Sequence, residues 1–199
     1  MVDIKLLKDI LKKFLNTNIG VTMNTIKSEE AIFLIIDVQE KLVAMLDDES
    51  VKIDSIKLAK TASILNIPTV ITEQYPKGLG ETIQEIKDVL PNAEYIEKTS
   101  FSAFKEDDVK KLLSQKQIVL FGIETHICVL QTAMDLLNEG YEVFLVQNAC
   151  GSRTNDNKQA ALRRLIHAGI QIVTTEMVIF ELLESSKHPN FKEVQSLIK

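Results

Sequence analysis

"QIVLFGIETHICVLQTAMDLLNEGYEVFLVQ" (residues 117–147) contains two short runs rich in Val, Ile and Leu, 117–123 and 142–147. Between them residues 127–139 carry a helical pattern that stops at Gly140. A strand, a helix and a second strand in this order form a crossover unit, which joins parallel strands. Apolar runs without polar alternation suit strands covered on both faces.

The same alternation extends in both directions. "AIFLIID" (31–37), "PTVIT" (68–72), "EYIE" (94–97) and "IQIVT" (170–174) read as further strands. Helical patterns fall at about 50–65, 78–90, 106–115 and 156–168, with stop signals at Asn66 and Gly169. Six strands in alternation with helices predict an α/β fold: a three-layer α/β/α, Rossmann-like arrangement around a six-stranded parallel sheet. Ahead of it, Leu6, Leu7, Ile10, Leu11, Phe14 and Leu15 make one stripe of an amphipathic helix over 1–16. A polar link follows. The sequence therefore divides into an N-terminal helix and linker (1–30) and a domain (31–199), with the helix expected to pack on the domain or on another subunit.

A chain of 199 residues is long enough to bury a core without disulfides or metals. Its net charge of -5 supplies no basic face for phosphate backbones, which argues against a nucleic-acid partner. No apolar run reaches the roughly 18 residues of a membrane span. Two cysteines, Cys128 and Cys150, with no CxxC spacing and no secretory leader, point to a reducing, cytoplasmic setting.

In open parallel sheets, ligands bind outside the carboxyl ends of the strands, where the strand order reverses. The first strand ends at Asp37, the third runs into Lys98, and the fourth hands over to the helix that carries Cys128. An acid, a base and a thiol thus share one edge. Taken singly, Asp37 reads as a helix N-cap, Lys98 as a surface lysine and Cys128 as a small core residue. Their joint placement favours a site. A cysteine at a helix N-terminus beside a lysine is a setting in which thiolate is expected near neutral pH.

"FLIIDVQEKL", "TEQYPKGLG", "IEKTSFSAF", "GIETHICVLQTAMDLLNEGYEV" and "TTEMVIFELL" occur in an order that resembles the isochorismatase-like cysteine hydrolase superfamily, nearest to its isochorismatase domain-containing branch. The resemblance runs from about 31 to about 183. It implies an Asp37, Lys98, Cys128 catalytic triad, a non-proline cis peptide at Ile123–Glu124, and an oxyanion hole made by the backbone N–H groups of Glu124 and Cys128. It also implies a homo-oligomer, a dimer or larger. The histidine-bearing metal site of the nicotinamide-deamidating members has no counterpart in "TEQYPKGLGET", so neither a metal nor another cofactor is expected.

The expected activity is hydrolysis of a small molecule at an amide-type C–N bond through a thioester. Isochorismate-type vinyl ether cleavage is the alternative, and a non-catalytic oligomeric interaction protein is the other class of reading. Gln74 and Tyr75 in the loop after the second strand, Phe101 and Phe104 after Lys98, and His126 are expected to line the pocket. Each of these also has a bland reading as turn, core or entrance residue. Arg153 is placed to pair with an acid on the sheet edge, Cys150 to pack, and His167 and His188 have no metal-binding spacing.

Overall fold

The computed structural model describes residues 24–198. The helix expected over 1–16 lies outside the described residues. Six strands form one parallel sheet: β1 (Ala31–Ile36), β2 (Thr69–Gln74), β3 (Glu94–Lys98), β4 (Gln117–Ile123), β5 (Glu142–Gly151) and β6 (Gln171–Val173), in the order β3-β2-β1-β4-β5-β6. Every residue of β1 and β4 is buried, as their unbroken apolar runs require. Phe33 and Phe121, from these neighbouring strands, meet edge-to-face at 6.0 Å.

The order reverses between β1 and β4. Right-handed crossovers then put the helices that follow β1 and β2 on one face and those that follow β3, β4 and β5 on the other. α1 (Ser50–Leu65) packs with α2 (Gln84–Val89) and with α6 (Thr175–Leu183), whereas α4 (Leu130–Asn138) packs with α5 (Asn155–Ala168). α3 (Asp107–Leu112) precedes β4. Local chemistry sets several ends. Asn66 adopts φ 55 after α1 and Gly169 φ 98 after α5, while the Thr154 and Thr174 side chains accept the first-turn N–H groups of Asn157 and Met177.

Three elements differ from the sequence reading. The helix expected over 78–90 is two pieces, a single turn at Pro76–Leu79 and α2, because Gly80 turns at φ 82 and Thr82 bridges to Gln39. The helix expected from residue 127 is preceded by a π-helical turn, Thr125–Val129. β5 runs on to Gly151 past a register shift, so that Cys150 lies beside Gly122 and is fully buried. Among the described residues no helix is long and apolar enough to cross a membrane.

Candidate active site

β1, β3 and β4 deliver Asp37, Lys98 and Cys128 to one edge of the sheet. Asp37 follows the last residue of β1, at φ 51, and its side chain is fully buried. A left-handed conformation suits aspartate better than most residues, and strained backbone of this kind clusters at functional sites. The turn is held by the Asp37 N–H, which donates to the Thr72 carbonyl at 3.1 Å. The Thr72 hydroxyl in turn donates to Asp37 Oδ1 at 2.7 Å.

Lys98 ends β3, two strands away from β1. Strands lie about 4.8 Å apart, so only a long side chain can cross β2 to reach the acid. It does so: Nζ lies 2.7 Å from Asp37 Oδ2, with both side chains fully buried. That contact is close but off the directions of a hydrogen bond, and Oδ2 has no hydrogen-bond partner among the described residues. The ammonium donates instead to Gln74 Oε1 at 2.6 Å and to the carbonyls of Ser100 and Phe101 at 3.2 and 3.3 Å.

Cys128 sits in the π turn, 6% exposed, with its thiol close enough to feel the charges of both Asp37 and Lys98. Burial, and then the Asp37 charge, push the thiol up to about 12, against the pull of Lys98. This corrects the expectation of a ready thiolate: the turn buries the sulfur beside a carboxylate, and both disfavour its charge. Burial also raises the Asp37 carboxyl above its ordinary value, opposed by Lys98, Thr72 and the thiol itself. Acid and thiol thus lie close enough for the charge of one to shift the titration of the other.

The Ile123–Glu124 peptide bond is cis. The turn after it is tied to the end of β5: the Thr125 hydroxyl donates to the Gly151 carbonyl at 2.9 Å, and His126 Nδ1 lies 3.0 Å from Ser152 Oγ. The buried Glu124 carboxylate accepts from the Arg153 N–H at 3.0 Å and from its Nε at 3.1 Å. Arg153 is thus paired with an acid on the sheet edge.

The residues expected to line a pocket separate into four groups. Tyr75 and Phe101 are exposed, 58% and 55%, in the loops that follow β2 and β3. His126 is spent on the turn. Gln74 faces inward to Lys98, and the buried Phe104 is not brought to the site: its ring meets Tyr141 edge-to-face at 5.8 Å, and Tyr141 precedes β5 at the opposite, amino edge of the sheet. Sequence reasoning misses Thr72, Gln39 and Gly122. Gly122, at φ 135, lies against Ile36 so closely that a Cβ would stand 1.9 Å from the Ile36 carbonyl oxygen. Among the described residues no three His, Cys, Asp or Glu side chains group as metal ligands.

Comparison with known proteins places these features in a family context. A family model described as "Isochorismatase domain" matches residues 31–177. Isochorismatase domain-containing protein 1 of Danio rerio is 38% identical over 184 residues, which cover 89% of this chain and 64% of that protein. The chain thus spans under two thirds of that relative's length. Among solved structures, the MAR1 ribonuclease of Caenorhabditis elegans superposes with a TM-score of 0.84 at 38% identity, covering 88% of this chain and 92% of that one. YcaC of Pseudomonas aeruginosa, solved with covalent acrylamide, gives 0.84 at 27% identity over 88% and 92% of the two chains. Its Escherichia coli counterpart, described as an octameric hydrolase of unknown specificity, gives 0.79 at 25% identity over 86% and 95%.

Proposed function

The chain belongs to the isochorismatase family, and on that premise we propose that it is a cofactor-independent cysteine hydrolase of small molecules, acting at an amide-type C–N bond. One observation carries the reading: a buried thiol lies within the field of a buried carboxylate whose Oδ2 touches a buried ammonium at 2.7 Å. No single strand end in the chain requires that convergence.

In the proposed cycle the Asp37 carboxylate takes the Cys128 proton as Sγ bonds to the substrate carbonyl carbon. The backbone N–H groups of Glu124 and Cys128 receive the oxyanion, as donors fixed in place do. The C–N bond then breaks, and the protonated Asp37 returns its proton to the leaving nitrogen, which leaves a thioester. Water attacks that thioester, with Asp37 taking one of its protons. The C–S bond then breaks, the protonated Asp37 returns its proton to the departing sulfur, and the acid product leaves with the thiol and carboxylate restored. Lys98 keeps its charge throughout and offsets that of Asp37 or of the sulfur, whichever carries it.

YcaC of Escherichia coli is described as octameric, which supports a homo-oligomer here. Two buried cysteines, neither in a disulfide, suit a cytoplasmic setting.

The test is a panel of small amides and esters, with isochorismate and RNA as rival substrates, followed by product analysis and intact mass. An acyl adduct at Cys128 is expected during turnover of an amide or ester. Cys128→Ala is expected to lose both the adduct and at least about 10³-fold in rate. Cleavage of RNA or of the vinyl ether alone, retained in Cys128→Ala, contradicts the proposal.

A further inference from the structure

Lys98 has three protons and four oxygens around it. Three of those oxygens, from Gln74, Ser100 and Phe101, take hydrogen bonds, and the fourth, Asp37 Oδ2, is touched only by charge. The shortest of the three hydrogen bonds is the one to the Gln74 amide, at 2.6 Å, and it is also the only side-chain acceptor of the set.

The orientation of that amide follows from its partners. An ammonium can only donate, so the atom facing it is Oε1, and Nε2 then donates to the Thr99 carbonyl at 3.0 Å. Gln74 is fixed in turn by Gln39. The buried Gln39 side chain accepts the Gln74 N–H at 2.7 Å and donates to the carbonyls of Gln74, at 3.1 Å, and Gly80. Both hydrogen-bonding groups of the Gln74 backbone are thereby clamped by one side chain at the point where β2 ends. Gln39 follows Asp37 by two residues, so the clamp ties the lysine's acceptor to the strand end that carries the acid.

Resting on the proposed triad, we infer that Gln39 and Gln74 form a positioning relay that turns the Lys98 protons away from Asp37 Oδ2 and so keeps the carboxylate a stronger base for the thiol. Neither glutamine touches the reacting atoms; both act through Lys98. Without the Gln74 acceptor, a Lys98 proton is released to Oδ2, where a direct charge-assisted hydrogen bond makes the carboxylate a weaker base.

The consequence is a specific change in the pH dependence of Cys128. For a proton shared by acid and thiol, the labelling rate climbs with pH until the acid has ionised and then levels off. The plateau height falls with the basicity of the acid.

The experiment is iodoacetamide labelling of Cys128 across pH, by intact mass and peptide mapping, in the full chain. Gln74→Met is expected to lower the plateau about tenfold and to move its onset about one pH unit lower, with the rising limb unchanged. Gln39→Met is expected to act in the same direction. In a Lys98→Ala background, Gln74→Met is expected to change nothing further, because its effect passes through the lysine. A melting curve for each variant verifies that it is folded.

Three results overturn the inference. If Gln74→Met labels like wild type while Lys98→Ala does not, the relay is absent and the triad stands. If Gln74→Met slows all pH values uniformly, or adds to Lys98→Ala, the glutamine acts on something other than the lysine. If Lys98→Ala itself keeps the wild-type profile, the triad reading falls and the relay falls with it.

Discussion

Lys98→Met is expected to lower the unfolding free energy at neutral pH by about 3–5 kcal/mol, the cost of leaving a buried charge without its partner. Lys98 and Asp37 are fully buried and 2.7 Å apart, so the carboxylate that remains has no water to replace the ammonium. Adding Asp37→Asn to the same chain removes the stranded charge and is expected to recover most of the loss. Urea unfolding followed by circular dichroism measures both. The loss also depends on pH, with a determined sign. Burial already raises the native Asp37 carboxyl above its ordinary value, and without Lys98 it rises further. A native value above the unfolded one means that the native state binds the extra proton. The deficit is therefore absent below the ordinary carboxylate range, grows as pH rises towards the native value, and is constant above it. A deficit that deepens on acidification contradicts this account of the pair.

Gly122→Ala is expected to be as damaging for a different reason. The added methyl would lie 1.9 Å from the Ile36 carbonyl oxygen, 2.7 Å from its carbon and 2.8 Å from its nitrogen, all of them backbone atoms that cannot rotate aside. It would also have to adopt φ 135, which L-residues rarely do. Strain and overpacking of this order cost about 3–5 kcal/mol together. The displaced atoms belong to the residue before Asp37, so the soluble fraction should also show altered Cys128 labelling. A change in stability within about 0.5 kcal/mol, the range of an ordinary surface substitution, would mean that the two strands are not in the close contact described.

The sheet is legible in the chain because each strand is an unbroken apolar run and each crossover a helical period. β1 and β4, buried along their whole length, carry the strongest signal and border the reversal. Asp37 and Lys98 are legible at strand ends and Cys128 in the turn after the fourth strand, and the motif resemblance brings them together as the proposed triad. Their supports are not. Thr72 and Gln74 matter because parallel register sets Ile36 beside Thr72 and Gln74 beside Lys98, and no local pattern encodes register. Gln39 carries no local signal of its role, although its side chain clamps a neighbouring strand. Phe104 reads as a pocket wall because sequence proximity to Lys98 does not reveal which way a ring turns. The thiol's resistance to ionisation follows from burial, which a helix-terminus argument leaves out.

The central claim is that Asp37 and Cys128 share one proton, so that the carboxylate is the base for the thiol. The most direct measurement is the rate of Cys128 alkylation by iodoacetamide as a function of pH in wild type and in Asp37→Asn. In wild type the rate should rise as the Asp37 carboxyl ionises, above the ordinary carboxylate range. It should then stay level until the thiol itself ionises near its value of about 12. Asp37→Asn removes the plateau, and its rate should climb about tenfold per pH unit through the same range and overtake wild type in alkali. The same straight climb in both proteins, with no level region in wild type, would contradict the shared proton and with it the role of Asp37 as base.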